Sequence, residues 1–204
     1  MPLIITETER KQMELVPEAL HAAVCVRIID IGSHKNPAYP DKPSRRRVVF
    51  FWELPGVTYE YEENGVKVTK PRVVSRKYAA GLGGADKPTE TAEMLKSWRG
   101  RAFTEAERKG FDIFSMLGKG AQIQIIHEKS STDATKVYAN IKNILGFPPG
   151  VPAPEPSVKP SSWNIEELAQ GLPETFPDWI KEAISESDEY KALSDSLASV
   201  GPAA

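Results

Sequence analysis

The chain has 204 residues, 40% of them hydrophobic, and a formal net charge of −2. This length allows one domain of about 100–150 residues with appendages. The near-neutral total hides a split: residues 1–150 carry 23 Lys and Arg against 18 Asp and Glu, whereas residues 151–204 carry 3 against 10. A basic body is typical of proteins that meet a polyanion, and an acidic tail is typical of segments that meet basic partners or cover the body's own basic surface.

Composition also excludes several classes of protein. The first residues lack the basic and apolar regions of a secretory signal, and no apolar run approaches the roughly 18–20 residues that span a bilayer. Cys25 is the only cysteine, which excludes an intramolecular disulfide and a thiolate-rich zinc site. We therefore expect a soluble, intracellular protein.

The first half of the body predicts three strands. Leu20–Asp30 and Arg45–Leu54 are rich in β-branched and aromatic residues and predict the first two. Asn64-Gly65 lies among alternating Tyr and Val residues, which is the strongest hairpin signal in the sequence. A long hairpin is expected there, with Pro55-Gly56 and Pro71 as bends or edge positions.

The second half of the body predicts helices followed by strands. Thr89–Trp98 and Thr104–Lys109 predict two helices, the second from a Thr-x-x-Glu capping box. Gln122–Glu128 and Lys136–Ile144 predict two more strands. The fold class is therefore mainly β with helices in the order β-β-β-α-β-β, which is the order of a five-stranded OB-fold-like Greek-key barrel. A generic antiparallel α+β sandwich would give the same order.

A proline-rich stretch divides the body from the tail, because so many prolines fit neither a helix interior nor a central strand. The predicted division is an OB-fold-like domain over residues 1–147, a Pro-rich linker over 148–162, and an acidic, partly helical or disordered tail over 163–204. One tail helix is expected to place Ile180, Ala183 and Ile184 on the same face as Trp179. Its predicted partner-binding residues are Trp179, Asp178, Glu182 and Glu186.

The long hairpin predicts a binding face. If it closes without a bulge, opposed residues have numbers that sum to 129, and one exposed face then mixes arginines with aromatic rings. Such a face offers a single-stranded polynucleotide both phosphate contacts and stacking platforms. The alternative is that the rings lie in the core, and a bulge at Pro55-Gly56 would exchange the faces. The predicted nucleic-acid-binding residues are Lys42, Arg45, Arg47, Phe51, Arg72, Arg76, Tyr78, Arg99 and Arg101.

Residues with catalytic potential are scattered. The three histidines lie in separate elements without metal-ligand spacing, and Cys25 lies in an apolar strand, where an inert thiol is favoured. We recognise no carboxylate set with the spacing of a nuclease metal site. We therefore expect no catalytic residue, no metal site and no cofactor, and a hydrolase or nuclease is the weakest alternative.

Several short phrases carry a family resemblance. They are Val16-Pro-Glu-Ala-Leu-His-Ala22, Cys25-Val-Arg-Ile-Ile-Asp-Ile-Gly32, Trp52-Glu-Leu-Pro55, Ser97-Trp-Arg-Gly-Arg-Ala-Phe-Thr-Glu105 and Tyr138-Ala-Asn-Ile141. Over most of residues 15–150 the chain resembles a group of bacteriophage and prophage proteins of replication and recombination gene neighbourhoods, where single-stranded-DNA-binding proteins of OB fold occur.

The resemblance implies sequence-independent binding of single-stranded DNA in phage replication or recombination, in the cytoplasm of a bacterial host. The acidic tail would then serve autoinhibition or recruit phage or host replication and recombination proteins, and a homodimer is compatible with this role. The chain departs from the usual pattern because it ends in Val200-Gly-Pro-Ala-Ala204 without an acidic and aromatic tip, so the Trp179 helix is the expected contact. The alternative is a non-enzymatic phage interaction module, an adaptor or a host-defence antagonist.

Overall fold

The computed structural model describes residues 14–63, 65–133 and 135–199. The strands are β1 Ala19–His34, β2 Arg45–Glu63, β3 Val66–Ala79, β4 Gly120–Lys129, β5 Val137–Leu145 and β6 Ser161–Trp163. The helices are α1 Glu90–Arg99, α2 Glu105–Lys109, α3 Asp178–Ser185 and α4 Asp188–Ser199, with 3₁₀ turns at Ile113–Met116 and Ile165–Gln170. Within the described part of the chain, no helix is both long and apolar enough to cross a membrane.

Five strands form one curled antiparallel sheet, a half-barrel with the order β3-β2-β1-β4-β5. The long strand β1 makes this possible, because its first part pairs with β4 and its remainder pairs with β2. The short strand β6 adds to β1 in parallel, with Ser162 opposite Ile28. The predicted fold class, mainly β with a few helices, is confirmed at this level.

The half-barrel encloses an inner core to which all five strands contribute. Phe50 and Trp52 stack with ring centroids 5.4 Å apart, and the Trp98 ring of α1 meets both edge-on. Trp98 and Phe103 attach the helical part of the chain to the sheet, since both are buried in this core. Helix α1 begins where the Thr89 side chain accepts a hydrogen bond from the Ala92 N–H, and it ends at Gly100 with φ +68°.

A second, outer core lies on the opposite face of β1 and β2. The strands contribute an apolar patch, and the C-terminal segment, residues 161–199, covers it with the buried side chains of Trp163, Phe176, Ile180 and others. Both faces of β1 are therefore buried over most of its length. The apolar patch on the strands consists of Val24, Val26, Ile29, Ile31, Val49 and Phe51.

The acidic segment and the basic body are in direct contact. Arg46 donates to Asp30 of β1 and to Asn164 of the C-terminal segment, at 2.6 and 3.0 Å. Glu189 of α4 accepts hydrogen bonds from the Ser33 N–H at 2.7 Å and the Ser33 hydroxyl at 2.8 Å. The C-terminal segment is thus part of the folded body, and the sequence left this contact open.

The proline-rich stretch is tied to the sheet. Ser157 donates from its N–H and its hydroxyl to the buried Glu53 carboxylate of β2, at 2.9 and 2.5 Å. Ala153 lies so close to Gly120 that a Cβ at Gly120 would stand 2.4 Å from the Ala153 Cβ. Strand β6 begins at Ser161, inside the predicted linker range. These contacts fix the path by which the chain reaches the outer face.

The predicted hairpin register is confirmed in its outer half and wrong in its inner half. From Thr58 opposite Pro71 to Glu63 opposite Val66, paired residues have numbers that sum to 129. Asn64 itself lies outside the described residues. Between Leu54 and Thr58, however, β2 contains three residues without opposing partners, and this bulge shifts the pairing of the inner half. Because three is an odd number, Phe51 and Tyr78 do not share a face, as the predicted register would require, but lie on opposite faces of the sheet.

Candidate nucleic-acid interface

The outer half of the hairpin carries a strip of aromatic and cationic side chains, which we call the arm strip: Tyr59, Tyr61, Lys70 and Arg72. The two tyrosine rings lie side by side with centroids 5.7 Å apart and planes tilted by 31°. The Arg72 guanidinium lies 4.8 Å from the Tyr59 centroid, and the Lys70 ammonium lies 4.7 Å from the Tyr61 centroid. Each ring is therefore held beside a cation on the same face.

The opposite face of this arm has a different character. Glu60 and Glu62 alternate with the tyrosines along β2, and both are exposed. Carboxylates repel phosphate groups, whereas the arm strip attracts them. Lys67 lies opposite Glu62 on that face, but its two carboxylates outnumber this cation, so the arm strip is the face that favours a polyanion.

The arm strip continues the inner face of the half-barrel. Lys70, Arg72 and Val74 alternate along β3 and therefore share a face. Val74 packs against the inner core, so this face leads from the arm strip to the edge of that core. Further along the same face, a groove of about 400 Å³ opens between β3 and β5, with Arg76 and Lys142 in its lining. The C-terminal segment lies on the other face of the sheet, away from the arm strip, and within the strip Arg72 also donates to the Glu14 carbonyl at 2.7 Å.

A second basic site lies between β1 and β2, at the opposite end of β2 from the arm. We call it the anion recess, and the structure brings together there three of the predicted residues, Lys42, Arg45 and Arg47. The recess has a volume of about 130 Å³, and its lining is completed by His34, Asn36, Tyr39 and Pro43. Arg46, between the two lining arginines, is instead paired with Asp30.

Both predicted aromatic platforms, Phe51 and Tyr78, are buried, which corrects the predicted exposed face. Phe51 is only 8% exposed, in the outer core, where the Trp179 ring of α3 lies 5.9 Å from its own. Tyr78 is 3% exposed and meets Phe50 edge-on in the inner core. Burial raises the pKa of Tyr78 to about 12. The three-residue bulge and the covering C-terminal segment are the physical reasons.

The predicted residue Arg76 is engaged within the protein. Its guanidinium forms an ion pair with Glu90 of α1 and donates to the Ile141 carbonyl of β5 at 2.5 Å. Arg76 thereby connects the two edge strands of the half-barrel, which supports a structural role. Arg72 is the predicted β3 arginine that belongs to the arm strip.

Arg99 and Arg101 are predicted phosphate contacts, and both are paired with Glu107. The Arg99 side chain is 8% exposed, and its guanidinium lies between the rings of Phe103 and Phe111, at 4.6 and 4.7 Å. Arg101 binds both Glu107 oxygens, at 2.8 and 2.9 Å. Hydrogen bonds from Arg101, followed by the Thr104 N–H, lower the pKa of Glu107 to about 2. The cluster joins α1 to α2 and leaves Arg99 little surface for a ligand.

This cluster predicts a pH-dependent effect of Glu107→Gln. Because the pKa of Glu107 is depressed in the folded chain, its charge stabilises the fold fully above the ordinary pKa of 4.5. That contribution is lost as the pH falls toward about 2. Urea unfolding should show the variant less stable than the wild type at pH 7, with the difference shrinking below pH 4.5. Glu105→Gln is the control, and an equal deficit at pH 7 and pH 3 would contradict the prediction.

The predicted partner-binding residues lie on the outer surface of α3. Asp178, Glu182 and Glu186 are exposed, with spacings of four residues that place them in one row. Trp179 is 46% exposed, although one side of its ring meets Phe51. The apolar face of α3 is formed by Ile180 and Ile184, which are fully buried in the outer core. Trp179 thus lies at the border between the core and the acidic row.

The residues considered for catalysis have structural contacts. His21, His34 and His127 each donate from Nε2 to a backbone carbonyl, those of Pro17, Ile31 and Val16. Cys25 is fully buried, and burial raises the pKa of its thiol to about 12, so the thiol is neutral and unreactive, as predicted. Among the described residues, no three His, Cys, Asp or Glu side chains converge as metal ligands would.

Sequence reasoning missed Tyr59, Tyr61 and Lys70 as site residues. The signal was present, because the Asn-Gly turn places Tyr59 opposite Lys70 in the register that the structure confirms. Alternation along each strand then gives the rest of the arm strip. Tyr39 of the anion recess had no such signal, since it lies in the connection between β1 and β2.

No protein-family model matches this chain, and no solved structure matches it significantly.

Proposed function

We propose that the protein binds single-stranded DNA without sequence specificity, through the arm strip, in phage DNA replication or recombination. The observation that carries the proposal is the pair of neighbouring tyrosine rings, each flanked by a cation, on one face of the arm. Unpaired bases stack on such rings whatever their identity, and the cations contact the phosphates between them. The phage context rests on the sequence resemblance.

The architecture supports an OB-like assignment. The order β3-β2-β1-β4-β5 with a helix before β4 is the order of an OB barrel that is open between β3 and β5. OB folds bind oligonucleotides on the face of their second and third strands, and the arm strip lies on these two strands. Such binding requires no chemistry, so the proposed protein is not an enzyme and needs no cofactor.

The salt dependence of binding tests the proposal. Each phosphate contact on a single strand adds about 0.7 to the steepness of log K against log salt concentration. Fluorescence anisotropy with oligo-dT should show tight binding that weakens steeply with salt, and weaker binding to the matching duplex. Lys70→Ala/Arg72→Ala should reduce the steepness by about 1.4.

Lys87→Ala/Lys109→Ala is the charge-matched control, because both lysines are exposed and distant from the arm along the chain. It should leave the slope unchanged. If Lys70→Ala/Arg72→Ala leaves the salt dependence of binding unchanged, the cations of the arm strip do not contact the DNA phosphates and the assignment of the interface is wrong.

The second candidate function is a non-enzymatic interaction module, an adaptor or host-defence antagonist. The observation that favours it is the exposed acidic row on α3 beside the half-exposed Trp179. Such a surface fits a basic partner with an apolar contact, for example a phage or host replication protein. The same titration separates the two candidate functions. If the chain binds no oligonucleotide at low salt, DNA binding is excluded and the interaction module is the candidate that stands.

A further inference from the structure

The anion recess concentrates positive charge. Three cationic side chains, Lys42, Arg45 and Arg47, line it, and none of the other described residues in its lining is Asp or Glu. Within the described residues, no carboxylate forms an ion pair with any of the three. By contrast Arg46, Arg76, Arg99 and Arg101 are all paired. Three unpaired cations repel one another, and a bound anion would relieve this repulsion.

The connection that forms the recess is held by contacts among its own residues. Its backbone makes two successive turns, in which Tyr39 N–H donates to the Asn36 carbonyl and Lys42 N–H donates to the Tyr39 carbonyl, at 2.9 and 3.1 Å. Prolines at positions 37, 40 and 43 restrict it further. The Lys42 ammonium is held 4.4 Å from the centroid of the Tyr39 ring. A preformed site loses less entropy on binding.

The size of the recess restricts the ligand. A volume of about 130 Å³ equals that of about four water molecules at about 30 Å³ each, which suits a phosphate group with its four oxygens. The recess is also more enclosed than the groove between β3 and β5. The middle of a polynucleotide strand would have to enter and leave the recess through two openings, whereas a terminal group needs only one.

The charge of the recess restricts the ligand as well. A phosphate monoester carries about −1.5 to −2 charge at pH 7 and offers three acceptor oxygens. An internal phosphodiester carries a single charge. Arginine binds phosphate oxygens in bidentate fashion, and Arg45 and Arg47 lie on the same side of β2 because they are two residues apart. The Asn36 amide adds a donor, because its oxygen is already engaged by the Ala38 N–H at 3.0 Å.

We propose that the anion recess binds a phosphate monoester, and that in the proposed DNA complex this group is the terminal phosphate of the strand. The second part rests on the proposed function, whereas the first does not. The protein would then recognise a phosphorylated strand end at one end of β2 and stack bases along the arm at the other.

The test compares oligo-dT with a 5′-phosphate, with a 3′-phosphate and with neither, by fluorescence anisotropy in a phosphate-free buffer on the full chain. One phosphorylated oligonucleotide should bind at least about tenfold tighter than the unphosphorylated one, since charged hydrogen bonds are among the strongest. Arg45→Ala/Arg47→Ala should abolish this advantage. Lys87→Ala/Lys109→Ala should retain it. Phosphorus NMR with thymidine 5′-monophosphate measures binding of the free ester by line broadening.

The outcomes separate the two proposals. If all three oligonucleotides bind equally well and thymidine monophosphate does not bind, the recess proposal is overturned while the proposed function stands. If no oligonucleotide binds but Arg45 and Arg47 are needed to broaden the monophosphate signal, the recess proposal stands and the proposed function fails. Broadening that persists in Arg45→Ala/Arg47→Ala would overturn the recess assignment.

Discussion

A chain that ends at Pro156 should not hold the native fold. Its truncation would expose six neighbouring apolar side chains of β1 and β2 that the C-terminal segment now buries. Burying one such side chain is worth about 1.5–3 kcal/mol, and whole domains are stable by only about 5–15 kcal/mol. An apolar patch of this size also promotes aggregation. We expect low soluble yield, binding of the dye ANS and loss of a cooperative thermal transition, all measurable on the purified truncated chain.

A point variant tests the same docking within the full chain. A Cβ at Gly32 would stand 2.6 Å from the Ser187 Cβ and 2.7 Å from a Glu189 carboxylate oxygen, so Gly32→Ala should push α4 away and lower the melting temperature. Gly32 also has φ +82°, which strains any other residue. Gly150→Ala is the matched control, because Gly150 has φ +79° and open space around it.

A truncated chain that does not aggregate and melts cooperatively near the wild-type temperature would mean that the C-terminal segment is a dispensable appendage. The sequence predicts tighter DNA binding after tail removal if the acidic segment competes for the basic face. In the structure that segment covers the outer core and not the arm strip. We therefore expect removal of the segment to destabilise the fold and not to tighten DNA binding.

Tyr59→Ala/Tyr61→Ala should weaken binding of oligo-dT by about thirtyfold or more. Stacking is worth about 1–3 kcal/mol per base, and two rings at the lower limit give about 2 kcal/mol, where 1.4 kcal/mol is a factor of ten. The steepness of the salt dependence should stay near the wild-type value, because no phosphate contact is removed. Anisotropy titrations at two salt concentrations measure both quantities.

Two variants control this prediction. Tyr59→Phe/Tyr61→Phe keeps the rings and should bind with nearly wild-type affinity. Glu60→Ala/Glu62→Ala changes the acidic face of the same arm and should not weaken binding. Both tyrosines lie outside the two cores, so circular dichroism and the melting temperature should be unchanged. Wild-type affinity in Tyr59→Ala/Tyr61→Ala would exclude stacking on the arm.

Features with local causes were predictable from the sequence. The Thr104 capping box forms as expected, with Thr104 and Glu107 bonded reciprocally, because a cap depends on residues three apart. The outer register of the hairpin follows from the Asn-Gly turn for the same reason. The predicted order of strands and helices is also observed, since it depends on hydrophobic pattern along the chain.

Features with long-range causes were not predictable. Nothing in the Pro55-Gly56 pair states how many residues a bulge there contains, and this number decides whether Tyr78 faces the inner core or solvent. The outer core joins β1 to residues more than 130 positions away. A partial signal existed, because apart from Arg27 and Asp30 the residues of β1 from Val24 to Ile31 are apolar on both faces, as expected of a strand with a covering layer on each side.

The bulge in β2 also makes the chain tolerant of length changes at this point. The three residues between Leu54 and Thr58 have no opposing partners, whereas β3 continues without a break from Pro71 to Arg72. Alternation along β3 keeps Lys70 and Arg72 on one face, so gain or loss of one residue in the bulge should leave the arm strip where it is. A one-residue change in β3 would instead turn the arm strip to the opposite side, and we therefore expect length to vary during evolution in β2 and not in β3.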